Sequence, residues 1–125
     1  MCLQTNSLFS EPVKEDIVCY KVFDAVGDKL KSPFYYDIPW ELGKEFTDPR
    51  FMMTAINRGS ALFTVRCAFH TFKRLKDAQE YSKHWYGRLT IVKCIIPAGS
   101  EYFDGWFDFV SKAYASNKLK LIEII

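Results

Sequence analysis

The stretch LKDAQEYSKHWYGRLTIVKCII, residues 75–96, decides the fold class because two different periodicities follow one another in it. In its first half the apolar residues recur every three or four positions, which predicts one main helix over about 74–86, and Gly87 supplies a stop. The run LTIVKCII, residues 89–96, is almost continuously apolar and rich in β-branched residues, as in a central strand. Helix and strand together predict an α+β protein.

The rest of the chain adds strands rather than helices. Strand-like runs occupy residues 16–23 (DIVCYKVF), 29–31, 44–47, 62–69 and 119–125. Asp104-Gly105 between aromatic runs is typical of a tight hairpin turn. We therefore expect an irregular leader over residues 1–15. A single α+β domain over 16–125 would follow, with a mostly antiparallel sheet of about six strands that is either continuous or split.

Composition excludes several classes of protein. The 125 residues are 49% hydrophobic and 26% charged, the balance of a globular chain rather than a disordered one. A net charge of +2 is too small to indicate nucleic acid or membrane binding. No apolar run approaches the length of a membrane span, and the start lacks the pattern of a signal peptide, so we expect a cytoplasmic protein.

The cysteines and catalytic motifs offer no chemistry of their own. The four cysteines contain no CxxC pair, so no metal site is predicted, and Cys19 and Cys94 lie inside strand-like runs, where a free thiol behaves as a small buried hydrophobe. The chain has no GxSxG, P-loop or GxGxxG motif and no clear acid–base pair. The sequence therefore favours a protein that is not an enzyme and that needs no cofactor.

The most distinctive segment is an aromatic-rich loop at residues 33–46. Aromatic residues make up 17% of the chain, and Phe34, Tyr35, Tyr36 and Trp40 cluster here among prolines. Clustered aromatic side chains on a loop are typical of the residues that contribute most to protein–protein binding. We therefore predict a non-catalytic protein-interaction module that uses these four residues to bind a protein partner. The alternative is that these rings only cover one end of the sheet.

Residues 68–103, AFHTFKRLKDAQEYSKHWYGRLTIVKCIIPAGSEYF, carry a likeness to a known family. Their strand, helix and strand resemble the middle of the ADP-ribosyltransferase fold of the poly(ADP-ribose) polymerases. The resemblance implies a cleft for NAD or ADP-ribose, with Tyr20, His70, Phe72 and Tyr81 as ligand-binding residues. Nucleotide binding, or a divergent transferase, is thus the alternative function.

The chain departs from that family at three functional positions. The first-strand histidine is replaced in Cys19-Tyr20-Lys21, the second-strand tyrosine by His70, and the catalytic glutamate by Asn117-Lys118. A cation near a developing positive charge is electrostatically wrong, so the resemblance implies the fold without the transferase chemistry. The combination of ELGK, FHTF and a terminal KLKLIEII is also similar to short uncharacterised bacterial and phage proteins, which assigns no function.

The sequence also bears on two further interactions, with nucleic acid and with a second copy of the chain. Lys73, Arg74, Lys76 and Lys83 surround the helix with rings between them, as in proteins that bind single-stranded nucleic acid. The rings are needed on the core side, however, so a solvated helix face is favoured over a nucleic-acid site. An unpaired edge at the 104–105 hairpin or at the final strand would permit a homodimer.

Overall fold

The computed structural model describes residues 3–26, 29–32, 38–51, 56–57, 63–65, 67–83, 89–108 and 110–125. Within these ranges the chain forms a single helix and twelve strands. The elements in chain order are β1 (Leu3–Thr5), β2 (Glu11–Pro12), β3 (Ile17–Val26), β4 (Lys29–Lys31), β5 (Glu45–Thr47), β6 (Ile56–Asn57), β7 (Phe63–Val65), β8 (Phe69–Phe72), α1 (Leu75–Lys83), β9 (Leu89–Ile96), β10 (Glu101–Phe107), β11 (Ser111–Ser116) and β12 (Lys118–Ile124).

All described strands belong to one antiparallel sheet. Its order is β5-β12-β9-β3-β8-β11-β10-β1-β7-β6, with β2 added to β10 and β4 added to β3. The prediction of a small α+β domain with a mostly antiparallel sheet and one helix is confirmed. The count of about six strands is wrong, because six of the twelve strands have only two or three residues, too few to show an alternation.

The pair β3–β9 is the longest in the sheet, and both of its strands are interior ones. Eight consecutive residue pairs run from Ile17 opposite Ile96 to Asp24 opposite Leu89. The central position predicted for residues 89–96 is confirmed. One face of β9 is buried and the other is half-buried, which explains why the strand is apolar almost throughout.

Alternation along the strands divides the core into two clusters, one on each face. The first, which we call the Trp40 face, contains Val13, Cys19, Phe23, Trp40, Phe69, Val92, Cys94, Ile96, Tyr114, Leu119 and Leu121. The second, which we call the helix face, contains Leu3, Val65, Ala68, Phe72, Ala78, Phe103, Phe107, Ala113 and Ala115. Helix α1 buries Ala78 in this second cluster.

The segment expected to be an irregular leader contributes to the sheet. Strand β1 lies between β10 and β7, and both Leu3 and Thr5 are completely buried. Asp104-Gly105, predicted to be a hairpin turn, lies inside β10, and the chain turns instead at Asp108, whose φ is 50°. Gly105 allows β10 and β1 to approach closely, because a Cβ there would overlap the backbone oxygen of Gln4.

Two strands proposed as unpaired edges have neighbours along part of their length. Strand β12 lies between β9 and β5, and β10 lies between β11 and β1. Strand β5 pairs with residues 118–120 of β12, and β1 pairs with β10 at Trp106. The homodimer stays a prediction. No helix in the described residues is long and apolar enough to cross a membrane.

Candidate functional site

Trp40 is the one predicted partner-binding residue that the structure describes, and it is buried. Its ring centroid lies 5.1 Å from that of Phe23, 4.8 Å from that of Phe46 and 5.5 Å from that of Phe69. Only 7% of Trp40 is exposed, so the ring fixes its segment to the sheet instead of projecting towards a partner. Phe34, Tyr35 and Tyr36 lie outside the described residues.

Trp40 forms one wall of a cleft at the end of the sheet. The cleft has a volume of about 470 Å³ and lies between strand β4 and residues 38–41. We call it the Trp40 cleft; its lining residues are Lys29, Leu30, Lys31, Ile38, Pro39, Trp40 and Glu41. Leu30 and Ile38 are partly buried against the core, whereas Lys29 and Lys31 are exposed. The cleft thus combines an apolar floor with a charged rim.

The charge at this rim is predominantly positive. Glu41 pairs with Lys44, with 2.7 Å between its Oε2 and the lysine Nζ. Lys29 and Lys31 are held by the pairing of β4 with β3, in which Lys31 lies opposite Asp24 and Lys29 opposite Val26. An apolar side chain flanked by carboxylates would be complementary to this surface.

The predicted ligand-binding residues share the helix face of the sheet. Tyr20 lies directly opposite Phe72 on the adjoining strands, and the Phe72 and Tyr81 ring centroids are 5.3 Å apart. Tyr20 and Tyr81 both pack against the core cluster that contains Phe72, which is only 4% exposed. The structure therefore brings these residues together, but as parts of the core beneath α1. None of them lines the Trp40 cleft.

His70 makes a structural hydrogen bond. Its Nε2 lies 3.2 Å from the carbonyl oxygen of Val65, so the neutral ring donates its Nε2–H there. Burial lowers the pKa of His70 from 6.5 to about 4, and the charge of Lys21 adds to this effect. At neutral pH the imidazole is uncharged and ties β8 to the end of β7.

The basic face of α1 is partly neutralised by its own acidic residues. The Lys83 ammonium lies 3.2 Å from the Glu80 carboxylate, and Asp77 occupies the first turn. Lys73, Arg74 and Lys76 are exposed. Nucleic-acid binding through these residues stays a prediction.

Sequence reasoning missed a polar group in the middle of the Trp40 face. Lys21 is 8% exposed, lies between Cys19 and Phe23 on the inward side of β3, and donates a 3.1 Å hydrogen bond from Nζ to the His70 carbonyl oxygen. Burial lowers its pKa from 10.5 to about 8. Within the described parts of the chain, no ion pair joins Lys21 to a carboxylate. The sequence does indicate this position, because side chains two residues apart in a strand point to the same face, so Lys21 must point inward with Cys19 and Phe23.

Two thiols adjoin this lysine. Cys19 and Cys94 lie directly opposite each other on β3 and β9, and both are completely buried. Burial raises the pKa of Cys19 to about 12, against smaller opposing effects of Thr71 and Lys21. Burial, and then the neighbouring Cys19, also raise the pKa of Cys94, whose Sγ donates to the Val92 carbonyl oxygen at 3.4 Å. The burial predicted for both cysteines is confirmed, and both are thiols at neutral pH.

The comparisons with known proteins add no identity. No protein-family profile, curated protein or solved structure matches this chain. The likeness to the ADP-ribosyltransferase fold therefore stays a prediction. Among the described residues, no group of three or more His, Cys, Asp or Glu is arranged to hold a metal ion.

Proposed function

We propose that this protein is a non-catalytic interaction domain whose Trp40 cleft binds an acidic segment of a partner protein. The observation that carries the proposal is the cleft itself, which lies between β4 and residues 38–41. Its volume of about 470 Å³ accommodates a few side chains and falls in the usual range for ligand sites.

The rigidity of the cleft supports binding. Trp40 is held by Phe23, Phe46 and Phe69, and β4 is held in register by β3. A wall already ordered in the free protein loses little conformational entropy when a partner binds. The aromatic residue thus acts by shaping the cleft, a different role from the exposed contact expected from the sequence.

Charge supports an acidic partner. Lys29 and Lys31 are exposed on the rim, whereas Glu41 is already paired with Lys44. Rim charges mainly steer association and set specificity. We expect a partner segment with an apolar anchor for Leu30 and Ile38, flanked by aspartate or glutamate.

A peptide selection tests this proposal. Peptides selected from a random displayed library on the wild-type protein should be enriched in acidic residues around an apolar anchor. The affinity of a selected peptide should fall by about tenfold in the double variant K29E/K31E. The matched control is K73E/K76E, which reverses two exposed lysines near α1 and should leave binding unchanged.

Two results would overturn the proposal. One is an equal loss of affinity in both double variants, which would indicate general electrostatic attraction. The other is unchanged binding by K29E/K31E while its thermal midpoint matches that of the wild type. Raising the salt concentration should weaken wild-type binding, whereas the K29E/K31E affinity should not fall and should rise slightly, because salt screens the repulsion between the acidic peptide and the introduced glutamates.

The nucleotide alternative is tested separately by thermal unfolding with millimolar NAD or ADP-ribose. A ligand that binds only the folded state raises the unfolding midpoint once it exceeds its dissociation constant. The result that would favour this alternative is a clear rise in the unfolding midpoint that Tyr20→Ala abolishes and K29E/K31E retains. The main site would then be a nucleotide site on the helix face, and not the Trp40 cleft.

A further inference from the structure

Cys19 and Cys94 are placed where a covalent bond between them is geometrically available. They are directly opposite residues of an antiparallel pair, and both side chains point into the Trp40 face. Directly opposite Cα atoms in such pairs lie roughly 4.5 to 5.5 Å apart. Disulfides span Cα distances of about 4.4 to 6.8 Å, so the register satisfies this requirement without moving either strand.

We propose that Cys19 and Cys94 form a reversible cross-strand disulfide when the protein meets a peroxide. This site is independent of the Trp40 cleft, which neither cysteine lines. It is a modification site at the centre of the sheet, and its substrate is a small two-electron oxidant able to enter a closely packed core.

Lys21 influences the ionisation of the two cysteines. It lies two residues after Cys19 on the same face of β3, and its charge favours the thiolate forms of both cysteines. The thiolate is the reactive form of cysteine, and the pKa of Cys19 is raised less than that of Cys94, so we assign the first attack to Cys19. Burial opposes ionisation, so the reaction is slower than that of an exposed thiol.

The reaction balances with one peroxide. The Cys19 thiolate attacks a peroxide oxygen; an S–O bond forms, the O–O bond breaks, and hydroxide leaves. The hydroxide takes up the proton that the thiol released, so the products are a sulfenic acid and water. The Cys94 thiolate then attacks the Cys19 sulfur; the S–S bond forms, the S–O bond breaks, and hydroxide leaves with a proton as water. Two thiols lose two electrons to one hydrogen peroxide, and an external dithiol reverses the change.

The experiment uses the full chain with Cys2 and Cys67 replaced by serine, so that only the proposed pair can react. After hydrogen peroxide treatment and acid quenching, the intact mass should be lower by about 2 Da, the two hydrogens lost. Proteolytic mapping without reductant should recover one peptide containing both cysteines. Dithiothreitol should restore the original mass. The further variant Cys94→Ala is the matched control and should not lose mass.

Two additional measurements connect the bond to the structure. Because the bond closes a long loop, the oxidised protein should unfold at a midpoint about 10 °C higher than the reduced protein. Lys21→Met should slow disulfide formation by at least severalfold, because the charge that favours the thiolates is removed.

Three outcomes would overturn the proposal. The first is oxidation only to sulfinic or sulfonic acid, which adds oxygen without linking the peptides. The second is a disulfide that forms at a rate proportional to the unfolded fraction in denaturant, because the native register would then play no part. The third is a linked protein that unfolds at a lower midpoint than the reduced one.

Discussion

Replacing Lys21 by methionine should stabilise the protein at neutral pH, although it removes a hydrogen bond. The pKa of Lys21 is lowered from 10.5 to about 8, which corresponds to a cost of about 3 kcal/mol for keeping the buried amine charged at pH 7. Methionine has a similar length and no charge. The lost hydrogen bond to the His70 carbonyl oxygen offsets about 1 to 2 kcal/mol of the gain, so we expect a net stabilisation of about 1 to 2 kcal/mol.

The stability difference between Lys21→Met and the wild type depends on pH, because folded and unfolded Lys21 release their proton at different pH values. Between about pH 8 and 10.5 the unfolded chain keeps a proton that folded Lys21 has already released, so the wild type gains stability as the pH rises. Lys21→Met lacks this gain. Its advantage at pH 7 should therefore have disappeared by about pH 10. Cys19 and Cys94, whose pKa values are raised, lower the stability of both proteins above about pH 9, and this effect largely cancels in the comparison.

Urea unfolding of both proteins at several pH values between 7 and 10 measures the difference. Lys93→Met is the matched control, because Lys93 lies on the adjoining strand, on the opposite face, and is only partly buried. The control should follow the wild-type pH profile. If Lys21→Met is instead less stable than the wild type by a similar amount at every pH, the lysine has a counter-ion or remains hydrated, and the reasoning is refuted.

Three other variants test separate parts of the structure. Lowering the pH from 6.5 to 4 should cost the wild type about 2.5 kcal/mol, because unfolded His70 takes up a proton that the folded ring resists. His70→Gln should make stability, measured by urea unfolding, less dependent on pH in this range, and an unchanged dependence would assign it to other groups. Gly105→Ala should destabilise the protein by several kcal/mol, because the added Cβ would overlap the Gln4 carbonyl oxygen. Gly99→Ala is the control: there is space for its Cβ, but the φ of 88° should cost about 1 kcal/mol. Equal unfolding midpoints for the two variants would contradict the close approach. Trp40→Ala should cost about 3 to 5 kcal/mol in chemical unfolding by removing three ring contacts, and a wild-type midpoint would place the ring outside the core.

The helices and strands that could be predicted are those long enough to show a repeating pattern of apolar residues. Helix α1 and strand β9 follow from the spacing of apolar residues in 75–96, and β3 from the β-branched run that begins at residue 16. The apolar pattern of residues 62–69 continues across a break between strands and therefore predicts one strand. The structure instead has β7 and β8, which occupy different positions in the sheet. Local patterns do not reveal which distant partner a short strand will find.

The burial of Trp40 could not be predicted from the sequence, because aromatic residues serve a core and an interface equally. Trp40 was identified by its neighbours in sequence, yet its buried position is decided by Phe23 and Phe69, which come from other strands. The reading of Asp104-Gly105 as a turn failed for a similar reason. Gly105 is required because the Gln4 backbone lies against it, and Gln4 is about a hundred residues away in the chain. The residues next to Gly105 in the sequence cannot indicate this contact.

The position of β1 between β10 and β7 has a consequence for how the molecule acquires its structure during synthesis. Gln4 pairs with Trp106, and Ile17 pairs with Ile96, so each of these early segments must wait for a partner that leaves the ribosome much later. The fold consists largely of such distant pairings, which makes folding slow and leaves β-forming segments exposed meanwhile. We therefore expect nascent chains to remain protease-sensitive until residue 107 has emerged, and to depend on whatever shields unpaired strands in the cell until that point.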